Sequence, residues 1–172
     1  MNIFALDQSP KLSATYHTDK HVVKMILESA QMLSTAHRII EGDTISKEKD
    51  AIIYKVAHKN HPCTIWVRES LENYMWLYEL YDALLEEYTY RFGKTHLSST
   101  LKEELSKPPK GIPSLGLTNF AQAMPDYCKR VSGVNAYRFY YFAEKGHLFT
   151  WTKRSVPDWI SPKSKHFCLL GE

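Results

Sequence analysis

The spacing of apolar residues follows the period of an α-helix over two long segments of the chain. The first covers residues 18–40, with a capping Thr-Asp pair at its start and Gly42 just after its end. The second covers residues 63–92, preceded by Pro62 and followed by Gly93, which suit the two ends of a helix. No pair of strands joined by a hairpin turn is evident. The pattern therefore predicts an all-α fold with two long core helices.

Shorter elements fill the rest of the pattern. Further helices are predicted, in chain order, over residues 51–59 (a helix or a strand, with the helix favoured), 97–105, 119–124 and 135–145. The prolines of residues 106–114 indicate an irregular connector. The tail after Gly146 is also predicted to be irregular, with Trp151 and Trp159 holding it on the core. A chain of 172 residues is expected to form a single helical domain over residues 1–172.

The first long helix carries its polar side chains on one narrow stripe. At 100° per residue, a sector of roughly 100° contains Lys20, His21, Lys24, Glu28, Gln31 and Thr35. The rest of the helix surface is mainly apolar, which is typical of a largely buried helix. The stripe is either a solvated edge, with Lys24 and Glu28 paired one turn apart, or the lining of a cleft suited to acid–base chemistry. The cleft is favoured, because burying such groups without partners costs several kcal/mol.

Composition is that of an ordinary folded protein, with 44% hydrophobic and 24% charged residues. The net charge of +3 is too small by itself to indicate a nucleic-acid partner. The charge is unevenly distributed, because residues 145–166 hold five Lys and Arg against one acid, whereas residues 69–87 hold six acids and no Lys or Arg. A local basic patch attracts phosphates, although two ordinary solvated faces give the same pattern.

Cysteine usage and the first residues bear on the cellular compartment. The three cysteines are widely spaced and form no C-x-x-C sequence, which indicates reduced thiols rather than a disulfide framework. Residues 1–10 lack the charge and the apolar run of a signal peptide. No stretch approaches the ~20 apolar residues that span a bilayer. We therefore expect a cytoplasmic protein with no membrane partner.

Two polar groups outside the first helix are candidates for binding. Arg138, Lys153 and Arg154 alternate with aromatic residues, which suits a nucleic-acid strand with stacked bases and equally suits a tail anchored on the core. Asn60 and His61 form a turn with the following proline, which puts His61 at the entrance of the second long helix. There the imidazole either contacts a ligand or is satisfied by the backbone.

Acid pairs on the second long helix suggest a different chemistry. Glu69 with Glu72, and Glu79 with Asp82, are similar to the pairs that hold Mg²⁺ in all-α nucleotide pyrophosphohydrolases. In those enzymes the pairs lie on two facing helices, whereas here one predicted helix carries both. No set of His and Cys ligands completes a tetrahedral site. Neither a metal nor another cofactor is therefore predicted.

Several short stretches together resemble one protein family. They are Met1-Asn2-Ile3-Phe4, then Asp19-Lys20-His21 with Lys24, Glu28 and Gln31, then Asn60-His61-Pro62 with Trp66. These residues resemble the pyrimidine-dimer DNA glycosylases of phages and bacteria, which are similar to phage endonuclease V. Residues 136–138 and 157–159 also look like the tails of uncharacterised tailed-phage proteins. The resemblance covers most of the chain in outline, and a phage-encoded chain would act in the host cytoplasm.

The resemblance implies an all-α enzyme that excises a damaged pyrimidine from DNA. In that family the N-terminal α-amine attacks C1′ of the sugar and forms an imine, and a helix carboxylate assists. Here Asn2 is too large for ready removal of the methionine before it, so Met1 would supply the amine, with Lys20 and Lys24 as alternatives. Glu28 would be the carboxylate. The elimination that follows imine formation would give the enzyme lyase activity.

The remaining site predictions concern DNA, the expected partner. The residues predicted to bind the substrate are Lys20, His21, Gln31, Asn60, His61, Arg138, Lys153 and Arg154. The alternatives are an all-α Mg²⁺-dependent pyrophosphohydrolase and a non-catalytic accessory protein that binds DNA or a host protein. The oligomeric state is left open by the sequence.

Overall fold

The structure is a computed structural model that describes residues 1–160, and all regular secondary structure in this range is helical. This confirms the all-α prediction. The α-helices are α1 (Pro10–Tyr16), α2 (Asp19–Glu41), α3 (Lys47–Ile52), α4 (Pro62–Glu69), α5 (Leu71–Phe92), α6 (Lys102–Leu105) and α7 (Gly133–Glu144). A 3₁₀ helix, Leu97–Leu101, leads directly into α6 and accounts for the short helix predicted there. Helix α2 packs against α4 and α5, and α1 packs against α5.

The chain before α1 is buried although it forms no helix. Residues 2–6 are each at most 8% exposed. A buried segment outside helices and sheets has to find hydrogen-bond partners for its backbone on other parts of the molecule. Ser13 Oγ accepts from Leu6 N at 3.0 Å and donates to Phe4 O at 3.3 Å, while Arg138 Nε donates to Leu6 O at 2.8 Å. Side chains of α1 and α7 thus hold the N-terminal segment in the core.

Helix α1 is absent from the sequence prediction. Its start does have recognisable signals, because Ser9 accepts from Leu12 N at 3.4 Å and Pro10 occupies the first turn. The helix has only seven residues, which is too short for a helical period of apolar positions to stand out.

Helix α2 matches its predicted bounds, but its exposed face differs from the prediction. The side chains at most 1% exposed include Val22, Met25, Ile26, Ala30, Met32, Leu33 and Ala36. Val23 and Leu27, expected on the buried side, are each 41% exposed. They flank Lys20 and Lys24 on the side of α2 that other helices leave uncovered. The exposed face is therefore partly apolar, and part of the polar stripe is correspondingly buried.

The second long helix is interrupted at Ser70, so the prediction of one continuous helix is wrong. Ser70 has an extended backbone, with φ −148° and ψ 146°. Leu71 N donates to Pro113 O at 2.7 Å, and Ser70 Oγ donates to Gly116 O at 2.8 Å. The connector after α6 thus accepts from Leu71 N, which in a continuous helix would donate to Val67 O, and also from the side chain of Ser70. The preceding residues remain helical as α4, and Pro62 lies at its start as predicted.

The helix favoured for residues 51–59 is also wrong, because α3 ends at Ile52 and residues 54–58 form no helix. Arg38 on α2 donates from Nε to Tyr54 O at 2.5 Å. Thr35 Oγ1 accepts from Ala57 N at 3.0 Å. Side chains of α2 therefore satisfy backbone groups that a helix would satisfy internally.

Of the two helices predicted late in the chain, α7 is confirmed, whereas residues 119–124 form no helix. The carbonyls of this segment accept from side chains of other elements. Asn2 Nδ2 donates to Ala123 O at 2.9 Å, and Tyr137 OH donates to Ala121 O at 2.5 Å. The segment is held in an extended path between the N-terminus and α7.

The predicted irregular tail is confirmed for residues 146–160, apart from two short 3₁₀ turns. Both predicted tryptophans anchor it. Trp151 Nε1 donates to Tyr16 O at 2.9 Å. The ring of Trp159 packs edge-on against Tyr16, with 5.9 Å between centroids. The rest of the tail, residues 161–172, lies outside the described residues.

Replacing Ser13 by alanine tests how the N-terminal segment is held. Ser13→Ala removes the partner of two buried backbone groups, Leu6 N and Phe4 O. Leaving buried polar groups unpaired costs roughly 1–3 kcal/mol each, so we expect the free energy of unfolding to fall by at least that amount. Urea unfolding at neutral pH measures the change.

Thr15→Ala is the matched control on the same helix. Its hydroxyl donates to Leu12 O at an exposed position, so we expect a change within about 0.5 kcal/mol. Equal losses of stability in the Ser13 and Thr15 variants would contradict this description of the N-terminal segment.

Candidate active site

The α-amine of Met1 lies against the carboxylate of Glu28, in the middle of α2. The Met1 nitrogen is 3.4 Å from Glu28 Oε2. The Met1 side chain is only 2% exposed although the whole residue is half-buried, so its exposed surface lies on the main chain. The same Oε2 also accepts from Asn2 N at 2.9 Å. A primary amine and a buried carboxylate are therefore held together at the rim of the core.

The polar stripe of α2 is divided between solvent and the core. Glu28, His21 and Thr35 are buried, whereas Lys20 and Lys24 are exposed and Gln31 is half-buried. The exposed Lys24 Nζ is 3.4 Å from Glu28 Oε1, the second oxygen of the carboxylate. Neither the solvated-edge nor the cleft interpretation holds for the whole stripe, since the N-terminal segment covers Glu28 and His21 and the segment around Ala57 covers Thr35.

His21 is part of an aromatic cluster at the start of α2, about two turns before Glu28. Its ring stacks on Phe4 with 4.5 Å between centroids, and its Nδ1 lies 2.6 Å from Tyr141 OH. Burial is the main cause that lowers the pKa of His21 to about 3. Positive charges add to this effect, including those of Lys145 and His147 after α7. The imidazole is thus neutral at physiological pH, and Lys145 and His147 lie within electrostatic reach of it.

His61 closes another side of the site. It caps α4, because its Nδ1 accepts from Cys63 N at 3.2 Å. Partial burial lowers the pKa of His61, and the nearby charge of the Met1 amine lowers it further. The backbone thus satisfies one ring nitrogen, and the half-buried ring lies within electrostatic reach of Met1 and Glu28. Asn60 is exposed in the turn just before it.

Three predicted DNA-binding cations lie away from this group. Arg138 is hydrogen-bonded to the N-terminal segment, because its Nε donates to Leu6 O and its Nη2 donates to Asp7 Oδ2 at 2.9 Å. Lys153 Nζ donates to the carbonyl of Tyr90 at 2.8 Å, and Arg154 Nη2 donates to the buried Glu87 at 2.5 Å. These contacts anchor the tail on α5, which is the structural alternative that the sequence left open.

The acid pairs do not form facing pairs on two helices. Glu72 accepts from Ser114 Oγ at 2.5 Å and from Gly116 N at 2.9 Å. Hydrogen bonds from Ser114 and Ser70 are the main causes that lower the pKa of Glu72 to about 2. Asp82 pairs with Lys102. Within residues 1–160, no three His, Cys, Asp or Glu side chains are arranged to bind a metal ion.

No role is predicted from the sequence for several residues of the site, although the family resemblance includes Asn2 and Phe4. Asn2 contacts Glu28, Phe4 and Tyr141 contact His21, and Tyr141 is 120 positions away from His21. The proximity of Asn2 and Phe4 to the chain start is a weak signal. No pattern in the sequence indicates the contact with Tyr141, because it depends on how α7 packs against α2.

The fold and the site together define a class of protein: an all-helical chain in which the α-amine of Met1 faces a carboxylate on a long central helix. The family model described as pyrimidine dimer DNA glycosylase matches residues 1–100. This match covers more than half of the 172 residues and includes both Met1 and Glu28, so the chain belongs to that family. The resemblance to the pyrimidine-dimer DNA glycosylases is thereby confirmed.

The other comparisons add no relative. Neither the curated proteins nor the solved structures include a match to this chain. Across residues 1–160, no helix combines the length and apolar character needed to cross a membrane.

The buried histidines predict how stability depends on pH. Burial lowers the pKa of His17 to about 4 and that of His21 to about 3, whereas both titrate near 6.5 in the unfolded chain. The unfolded chain therefore binds more protons below pH ~6.5. The contribution of the neutral rings to the free energy of unfolding is complete above that pH. It decreases as the pH falls towards 4, by about 1.4 kcal/mol per pH unit for each histidine.

Thermal and urea unfolding between pH 7 and pH 5 measure this loss. A His17→Asn/His21→Asn double variant should show a shallower decline of unfolding free energy with falling pH than the parent chain. The comparison uses the slope, so it holds even if the variant is less stable at every pH. Equal slopes would show that the two rings do not titrate as described.

Proposed function

We propose that this protein is a DNA glycosylase that excises a damaged pyrimidine and then cleaves the strand through an imine on the Met1 amine. The observation that carries the proposal is the 3.4 Å contact between the Met1 nitrogen and Glu28 Oε2. Membership in a DNA glycosylase family supports DNA as the substrate. Lys24, whose Nζ lies 3.4 Å from Glu28 Oε1, and the exposed Lys20 further along the same helix support a polyanionic ligand.

The first step exchanges one bond at the sugar for another. The unprotonated Met1 amine forms a bond to C1′, and the C1′–N bond to the base breaks with its electron pair leaving on the base, which takes up a proton. Positive charge develops on the sugar as this bond breaks. The Glu28 carboxylate, fixed beside the amine, stabilises that charge.

The second step opens the sugar and cleaves the strand. The C1′–O4′ bond breaks, O4′ takes the remaining proton of the amine nitrogen, and an imine forms between Met1 N and C1′. A proton then leaves C2′, and the C3′–O bond breaks with its electron pair leaving on the phosphate. Glu28 is the nearest carboxylate to the amine and is assigned as the base for this proton.

The surrounding residues have supporting roles in this proposal. Lys24, which lies 3.4 Å from Glu28 Oε1, contacts a phosphate beside the target nucleotide, and Lys20, about one turn earlier on α2, contacts the DNA backbone further along. Gln31, Asn60 and His61 line the other sides. The target base has to leave the stack before the amine reaches C1′. His21 supports the site from beneath, since its ring is buried between Phe4 and Tyr141.

The two cations of the tail, Lys153 and Arg154, lie farther from Glu28 than Lys24 does. Asp19, at the start of α2, accepts from Thr152 N at 3.0 Å, which puts Lys153 and Arg154 about 13 Å along α2 from Glu28 at 1.5 Å per residue. Both residues are exposed while they anchor the tail, so in this proposal they also contact the DNA backbone beyond Lys20. Arg138 acts through the N-terminal segment, which it holds in place.

Borohydride trapping tests this function. The protein is mixed with double-stranded DNA carrying a pyrimidine dimer or an abasic site, and borohydride reduces any imine to a stable adduct. We expect a covalent adduct with the parent chain, and peptide mapping is expected to locate it on Met1. Intact mass of the free protein establishes beforehand that Met1 is present.

Two variants separate the roles of neighbouring groups. Glu28→Gln keeps the size and the acceptor for Asn2 N but removes the charge, and we expect the excision rate to fall on the order of 10²-fold. Lys24→Gln removes the alternative amine that contacts Glu28 and should still give the Met1 adduct. A full excision rate in Glu28→Gln would remove the role of the carboxylate, and an adduct on Lys24 would reassign the nucleophile. Intact DNA and no adduct would contradict the glycosylase–lyase function.

A further inference from the structure

We propose that Asn2 is the positioning residue of the reactive pair: it fixes both the Met1 amine and one oxygen of Glu28. This inference rests on the proposed function. Asn2 is 8% exposed, and every polar atom of its side chain is paired within the protein. No substrate atom needs to touch Asn2 for it to act, since its effect passes through Met1 and Glu28.

The main chain of Asn2 determines where the amine points. Asn2 N donates to Glu28 Oε2 at 2.9 Å, and the Met1 nitrogen is 3.4 Å from the same oxygen. The peptide unit between Met1 and Asn2 is planar, so holding its N–H also holds Cα of Met1. The amine is left with rotation about the Met1 Cα–C bond and little other freedom. Oε2 is thus occupied from the N-terminal side, and Oε1 faces Lys24 and the exposed surface.

The side chain of Asn2 holds this arrangement from the other side. Its Oδ1 accepts from Ile3 N at 2.8 Å and from Phe4 N at 3.3 Å, which closes an Asx-type turn at the chain start. Phe4 has φ of 38°, a left-handed conformation that costs a non-glycine residue roughly 1–2 kcal/mol. The turn stabilises that conformation, and it allows the Phe4 ring to stack on His21.

The remaining contact of the Asn2 side chain is with a residue outside the part of the chain that matches the family. Asn2 Nδ2 donates to Ala123 O at 2.9 Å, whereas the family match covers residues 1–100. The irregular segment around Ala123 is fixed in turn by α7, through the bond from Tyr137 OH to Ala121 O. Asn2 therefore ties the reactive pair to the C-terminal part of the described structure.

The chain offers a matched control for a buried asparagine with the same kind of contacts. Asn73 is fully buried, its Nδ2 donates to Trp66 O at 2.9 Å, and its Oδ1 accepts from Thr118 N at 2.9 Å. It has no contact with Met1 or Glu28 among those described. Asn2→Leu and Asn73→Leu thus remove comparable hydrogen bonds. Each variant is expected to lower the free energy of unfolding by a few kcal/mol.

The first measurement is the single-turnover rate of borohydride trapping at saturating DNA, together with the Kd for the same DNA. Leucine is also too large for ready methionine removal, and intact mass verifies that Met1 remains. Asn2→Leu is expected to lower the maximal rate on the order of 10- to 100-fold with little change in Kd, because the amine loses its orientation. Asn73→Leu should retain the parent rate. If the two variants reacted at the same rate, whether at the parent rate or equally slowly, the positioning role would be overturned.

The second measurement needs no DNA. Reductive methylation with formaldehyde and cyanoborohydride, followed by mass spectrometry of the N-terminal peptide, gives the reactivity of the Met1 amine. We expect several-fold faster labelling in Asn2→Leu than in the parent chain, because the amine leaves Glu28, and no change in Asn73→Leu. If the parent chain gives no DNA adduct, the proposed function fails, whereas this comparison still decides whether Asn2 fixes the amine. Unchanged labelling in Asn2→Leu would overturn the inference.

Discussion

The carboxylate of Glu28 is the contact on which the arrangement of the chain start depends. It accepts from Asn2 N at 2.9 Å and lies 3.4 Å from the Met1 nitrogen, so one buried charge binds the beginning of the chain to the central helix. A buried carboxylate is costly unless it is paired. Because the segment after Met1 has no helix or sheet to satisfy its backbone, Ser13 and Arg138 complete its hydrogen bonding. The result is an amine that emerges at a fixed point beside a fixed carboxylate.

The residues that hold the amine and the carboxylate in place come from residues 1–100 and from the chain after residue 100. Met1 and Glu28, the proposed reactive pair, lie within residues 1–100, which the family match covers, but Ala123, Arg138 and Tyr141 lie beyond it. Each of these residues touches the N-terminal segment or His21. Contacts from the C-terminal part of the described structure therefore help to fix the geometry of a site located on α2.

Local signals predicted much of the fold, and long-range contacts account for what was missed. The bounds of α2 and the start of α4 at Pro62 follow from capping residues and apolar period alone. The break at Ser70 depends on Pro113, which lies far along the chain, so no local pattern reveals it. For the site, the polar stripe and the family resemblance were enough to single out Glu28. The role of Asn2 required knowing that Glu28 and residues 119–124 approach the chain start from two sides.

If the Met1 amine is the nucleophile, it has to stay at its present distance from Glu28, so the decisive experiment moves it. Adding one glycine ahead of Met1 keeps the side chains of the site but carries the amine beyond the 3.4 Å contact. With DNA binding and helix content verified as unchanged, we expect the rate of borohydride trapping on abasic-site DNA to fall on the order of 10²-fold. Trapping at the parent rate in the extended protein would show instead that a nucleophile other than the Met1 amine is responsible.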